Sequence, residues 1–174
     1  NLKLLSQTIR NLKNNKFPLF LPVFDKVADN KKKYQRKVNK VDLIILEGWC
    51  VGSKPIDPDY LKKNINDLEK IEDSNLLWRT AYNKALVEYQ KVFKKFSYFI
   101  FIKIPNWKFV IDWKYKQELG LRSSNSNNHL KKKLYRFIQF YEKLSKWMYL
   151  TSPSDCNVLI TLDKKQTAKK ITYK

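Results

Sequence analysis

Two carboxylates stand directly behind apolar runs of strand length: Asp25 after Phe17 to Phe24, and Glu47 after Val41 to Leu46. In open α/β sheets ligands gather outside the carboxyl ends of strands, so acids at such positions are placed for chemistry. A carboxylate beside a substrate hydroxyl can take its proton as attack on phosphorus begins, and the adjacent Lys26 can hold an anionic substrate or a phosphate. The plainer alternative makes Asp25 a turn aspartate and Lys26 a solvated lysine. Glu47 can hold Mg2+ through its water shell, or it can cap a turn facing solvent. Arg79, early on a helix among apolar neighbours, and Arg122, beside a polar loop, are two of five arginines. Planar guanidinium groups suit phosphate contacts, although a lone arginine is usually a solvated surface group.

Other chemistries find little support. His129 is the sole histidine, so metal sites built on two histidines are excluded. No G-x-S-x-G supports a serine triad. Cys50 and Cys156 are too few for a disulfide framework and read as ordinary intracellular thiols; pairing either with His129 would depend on a polar loop. Gly48, Gly52 and Gly120 are the three glycines, and no phosphate-binding G-x-x-x-x-G-K-[ST] can be written from them.

With 174 residues, 43% hydrophobic and 14% aromatic, the chain is long and apolar enough for one packed domain, residues 1–174. No apolar run approaches the roughly 18 to 20 residues of a membrane span. Residues 1–12 alternate at helical spacing and do not form a signal-peptide block. The cytoplasm is the expected location. A net charge of +20 raises the question of nucleic acid, because clustered cations release counterions from phosphates. Yet 31 of the 36 basic residues are lysines, largely scattered, and asparagine is abundant. Joint Lys and Asn enrichment is what an AT-rich genome produces without function. Nucleic acid is therefore not expected as a partner, and a general pull on anionic substrates is.

The elements that must position these residues alternate along the chain. Leu5, Ile9 and Leu12 predict an opening helix that ends near Asn14-Asn15. Phe17 to Phe24 predicts a strand, Asp25 to Lys40 a basic loop, and Val41 to Leu46 a strand covered on both faces. Asp57-Pro58 predicts a helix start, and Asp73-Ser74 begins a longer helix with Trp78, Tyr82, Ala85, Leu86, Tyr89 and Phe93 on one face. Tyr98 to Ile104 reads as a strand, and Asn106 caps a helix to about Arg122. Ser123 to Asn128 reads as an exposed loop. Leu130, Leu134, Phe137, Tyr141, Leu144 and Met148 stripe the last helix, and Asn157 to Leu162 closes with a strand. Alternation of this kind predicts an α/β fold, a parallel sheet with helices on both faces.

Several segments resemble the D-glycerate 3-kinases and their uridine-kinase-like relatives. Leu21-Pro22-Val23-Phe24-Asp25-Lys26-Val27-Ala28-Asp29 is similar to their P-x-F/Y-D-K-(S/A) element. Leu46-Glu47-Gly48-Trp49-Cys50-Val51-Gly52-Ser53-Lys54-Pro55 is similar to the more specific F/L-E-G-W-x-x-G-x-x-P. Asn66-Asp67-Leu68-Glu69 with Trp78-Arg79 resembles N-x-x-L-E…W-R, and Trp113 to Glu118 resembles the W-R-x-x-Q-E lid helix. Phe137 to Lys143 resembles F-I-x-F-Y-E-R. Lys31, Lys114 and Lys143 stand where relatives carry arginine, which keeps the charge and loses the bidentate geometry.

The resemblance implies a P-loop NTPase fold and an ATP- and Mg2+-dependent kinase of a small hydroxyl-bearing substrate, D-glycerate foremost. A uridine or nucleoside kinase-like enzyme, or a non-catalytic nucleotide-binding relative, is the alternative. Asp25 would be the catalytic base and Glu47 the acid on the Mg2+ side, their carboxyl groups facing one pocket. Lys26, Arg79 and Trp49 would contact substrate. Lys114, Gln117 and Arg122 would reach phosphate from a lid over about residues 107–130. The resemblance further implies a segment upstream of Asn1 with a Gly-rich P-loop ending in Gly-Lys-Ser or Gly-Lys-Thr about 60 to 100 positions earlier. Without that segment, incomplete at its N-terminus, the chain would be inactive.

Overall fold

The computed structural model describes residues 1–25, 28–121 and 128–174, so Lys26, Arg122 and the polar loop up to Asn127 lie outside the described residues. Where the sequence reading expects one domain, the chain divides into two compact units, Asn1–Trp49 and Cys50–Lys174.

The first unit opens with helix α1, Leu2–Lys13. The Asn1 side chain accepts the Leu4 N–H at 3.0 Å, meeting one of the donors a helix start leaves open. Ile9, in the middle of the apolar stripe, is the buried residue of this helix. Strands β1, Leu19–Asp25, and β2, Asn30–Val38, then form an antiparallel ribbon. The stretch Asp25 to Lys40, expected as a loop, is thus largely strand. A β1 strand needs a ladder partner, and β2 supplies one while its lysines stay in water. Its polar composition hid it, because the ribbon has no second covered face to impose apolar alternation.

The opposite correction applies to Val41–Leu46, expected as a buried strand. It takes no strand structure, and Leu43 and Ile45 are 74% and 77% exposed. An apolar run of strand composition is assigned to a sheet only when a neighbouring strand pairs with it, and none does among the described residues. Glu47 therefore follows an irregular segment.

The second unit holds α2 Pro58–Lys62, α3 Asp67–Ile71, α4 Leu77–Phe93, β3 Ile100–Lys103, α5 Lys108–Leu121, α6 Asn128–Asp155, β4 Val158–Leu162 and β5 Ala168–Tyr173. Asp57 caps α2 through Asp59 and Tyr60, with Pro58 at the first helical position as its sequence predicts. Asp73 receives the N–H groups of Trp78 and Arg79 and so caps α4, although that helix begins at Leu77. The sheet runs β3-β4-β5. It is mixed and not purely parallel: β3 and β4 are parallel, and β5, which the sequence does not reveal, returns antiparallel.

Phe101 of β3 packs with Met148 of α6 and with Cys156, forming the core under one sheet face. The other face bears Ile100, Ile102 and Ile171, all at least half exposed, so the expectation of helices on both faces is not met there among the described residues. A second core joins Ile56, Leu61, Leu86 and Leu144 across α2, α4 and α6. On α6 the buried apolar stripe is Leu134, Ile138, Leu144 and Met148, with Phe137 left 45% exposed.

Candidate functional site

Asp25 ends β1 and opposes Asn30 across the ribbon. One carboxylate oxygen accepts the Ala28 N–H at 3.1 Å, and the other lies 3.6 Å from the Lys32 ammonium. Tyr34, first by a side-chain hydrogen bond and then by its charge, together with Asp25 holds that ammonium above its ordinary range. Asp25 is thus held by the turn it closes and keeps about a third of its side chain exposed. It can still receive a proton from a group that approaches it. Glu47 and Trp49 sit on the surface of the same unit, Trp49 at 46% exposure.

Past Trp49 the EGW-like loop is tied down in the second unit. Gly52 has φ +81°, a conformation glycine adopts without strain, and a Cβ there would stand 2.6 Å from the Phe99 ring. Ser53 is fully buried, and its carbonyl accepts from Gln90 at 2.7 Å. Asn83 clasps Ile56 by both backbone groups, accepting its N–H at 2.6 Å and donating to its carbonyl at 3.0 Å. Lys54 pairs with Asp155 at 2.7 Å. Helix α4 thus presents two side-chain amides that fix the backbone of residues 53–56.

Arg79, expected to contact substrate, is instead fully buried and saturated with partners. Its Nε meets Asp73 at 2.8 Å, one terminal nitrogen meets Glu69 at 3.3 Å, and the other donates to the Asp73 carbonyl at 2.7 Å. Lys143, at 1% exposure, joins the same Glu69 oxygen at 3.2 Å and donates to the carbonyls of Tyr60 and Lys63. Burial lowers the affinity of Lys143 for its proton, and the charge of Glu69 opposes that shift. Burial alone would push the Asp73 carboxyl up, but the Arg79 hydrogen bond and the Trp78 and Arg79 N–H groups outweigh it and leave the carboxyl below its ordinary value.

Two acids and two bases in one buried cluster tie α3, α4 and α6 together. The N-x-x-L-E…W-R stretch is accordingly a structural device. Asn66 caps α3 by accepting the Glu69 N–H, Leu68 donates to the Gln139 side chain, and Glu69 and Arg79 pair. Sequence reasoning missed Glu69, Asp73 and Lys143. The available signal was two acids at i, i+4 ahead of an arginine that stands among apolar helix residues.

Lys114 and Gln117 lie on α5, where Lys114 donates to Gln117 at 3.1 Å and pairs with Glu118 at 3.0 Å. They form one exposed polar strip of a single helix turn. No group of three or more His, Cys, Asp or Glu side chains suited to a metal occurs among the described residues. No helix is long and apolar enough to cross a membrane among them.

Comparison with known proteins gives the fold a precedent. The backbone superposes on D-glycerate 3-kinase from Cryptococcus neoformans with a TM-score of 0.74 at 18% identity, covering 100% of this chain and 67% of that one. The chain is kinase-like in fold. A solved structure described as the YGR205w protein matches with a TM-score of 0.59 at 17% identity, over 99% of this chain and 63% of its own. An uncharacterized kinase of Schizosaccharomyces pombe, mug58, is 28% identical over 100 residues, 56% of this chain. The chain spans about a third of that curated relative's length, 35%. No family model matches.

Proposed function

We propose that this chain is the acceptor-binding and lid portion of an ATP-dependent kinase acting on a small hydroxyl-bearing substrate, with D-glycerate first among candidates. The observation that carries this reading is the backbone likeness to a D-glycerate 3-kinase over the whole chain. Asp25 takes the proton of the substrate hydroxyl, and its position at the end of β1 with one-third exposure supports that role. In this reading Glu47 serves Mg2+ through its water shell, a role that asks for only one or two carboxylates and no dense ligand cluster. In the same reading Lys26 and Trp49 bind the acceptor, and Lys114, Gln117 and Arg122 are the lid residues that bind phosphate. Bound ATP supplies the transferred phosphoryl group.

A triphosphate also needs a cradle of backbone N–H groups, which this chain's three glycines do not form. That part comes from a segment upstream of Asn1, which completes a P-loop NTPase fold. The exposed Leu43 and Ile45 and the uncovered Ile100 and Ile102 support this, since each is strand-like apolar surface without cover. A non-catalytic nucleotide-binding relative is the second reading. It is favoured by one observation, the withdrawal of Arg79 from any surface a phosphate reaches. A nucleoside such as uridine is the alternative acceptor.

The test is a coupled assay of Mg-ATP turnover on the protein produced with whatever precedes Asn1. D-glycerate should be phosphorylated, and Asp25→Asn should remove turnover by about a hundredfold or more while ATP binding persists. Binding of ATP without turnover of glycerate, another hydroxy acid or uridine would establish the non-catalytic reading.

A further inference from the structure

We infer that one face of the β1–β2 ribbon binds single-stranded nucleic acid, independently of any kinase activity. Residues directly opposite on antiparallel strands share a face, and the register sets Phe20 against Lys37, Pro22 against Gln35, and Phe24 against Lys31. The face so formed is the outward one: β1 alternates half-buried and exposed, with Phe20 at 52% and Phe24 at 56% exposure. Two phenyl rings four residues apart on one strand stand about 13 Å from each other, each with an ammonium across from it. Lys33 lies in the shifted part of the register between Gln35 and Lys31, whereas Arg36, opposite Leu21, belongs to the other face. Among the described residues Lys31, Lys33 and Lys37 make no ion pair with a carboxylate, while Lys32 pairs with Asp25.

Surface phenyl rings on a soluble ribbon gain nothing from water, whereas cations without counter-charges attract a polyanion. The combination suits a polyanion that also offers ring faces. A single strand offers phosphates for the lysines and unpaired bases whose faces stack on the rings, and such stacking tolerates any sequence. An acidic protein or inorganic polyphosphate would satisfy the cations and leave the rings idle; a duplex keeps its base faces hidden. Composition alone argues against nucleic acid because lysines are scattered along the chain. The ribbon gathers Lys31, Lys33 and Lys37 with two rings onto one small element, which composition cannot show.

The test is fluorescence anisotropy of a labelled 20-mer oligouridylate with the 174-residue chain across a salt series. Binding should weaken with salt. Phe20→Ala and Phe24→Ala should each weaken it by roughly fivefold or more without changing the salt slope. Lys31→Gln and Lys37→Gln should each reduce the slope of log affinity against log salt by about 0.7. Circular dichroism of each variant should match the parent, since the four positions are exposed. A 4-thiouridine oligonucleotide should crosslink within residues 19–38. Equal competition by polyphosphate with no effect of the ring variants, a preference for duplex, or crosslinks confined to the second unit would each overturn the inference.

Discussion

At the scale of single residues the buried ion cluster decides most. Arg79 is held by two carboxylates with no path to water, so removing it leaves buried acids without compensation. Arg79→Met should destabilise the chain by about 3 to 5 kcal/mol in urea unfolding, far more than loss of a substrate contact at the surface would. Asp73 adds a pH signature. Its folded-state pKa lies below the unfolded value of about 4, so its contribution is complete above that value. The contribution is lost as pH falls through the lower folded-state value. Unfolding free energies measured between pH 6 and pH 2 should drop on the acid side, and Asp73→Asn should flatten that drop. Tyr82 offers the reverse case: its buried hydroxyl has no hydrogen-bond partner among the described residues, so Tyr82→Phe should leave stability unchanged or raise it by about 1 kcal/mol.

At the scale of elements, the loop behind Trp49 depends on α4. Gly52→Ala meets both an unfavourable φ and the Phe99 ring and should cost about 1 to 3 kcal/mol in thermal or chemical unfolding. Adding Phe99→Leu should recover the steric share and leave the φ share. Elements are also where sequence reading succeeded and failed for identifiable reasons. Helices α1, α2 and α6 were legible because the Leu5, Ile9, Leu12 spacing, Asp57-Pro58 and the long apolar stripe are local signals. β2 was not legible, since a strand with five basic residues and one covered neighbour carries no alternation. Val41–Leu46 has strand composition, but strand structure depends on a partner elsewhere, and no local property of those six residues reports whether it is present. Asp25 and Glu47 could be singled out by type and position. Arg79 was expected at the substrate because its burial depends on Glu69 of α3, on Asp73 ahead of α4, and on Lys143 of α6 meeting the same Glu69, a convergence that only the packed structure reveals.

At the scale of the whole molecule, the proposal is that this chain supplies the acceptor side of a phosphotransferase and that the uncovered Leu43, Ile45, Ile100 and Ile102 meet a further segment of the protein. Amide hydrogen exchange should show the difference directly. Backbone groups of Val41–Leu46, without ladder partners here, should exchange freely in the 174-residue chain, while those of β4, paired on both sides, should be protected. Restoring the upstream segment should slow exchange over Val41–Leu46. The measurement that bears most directly on the central claim is the transfer of labelled γ-phosphate from ATP to D-glycerate by the protein carrying that segment, with and without Asp25. The account predicts labelled phosphoglycerate from the parent and essentially none from Asp25→Asn. Equal labelling by the two proteins would contradict the role given to Asp25, and no labelled product from any small hydroxyl compound would contradict the kinase itself.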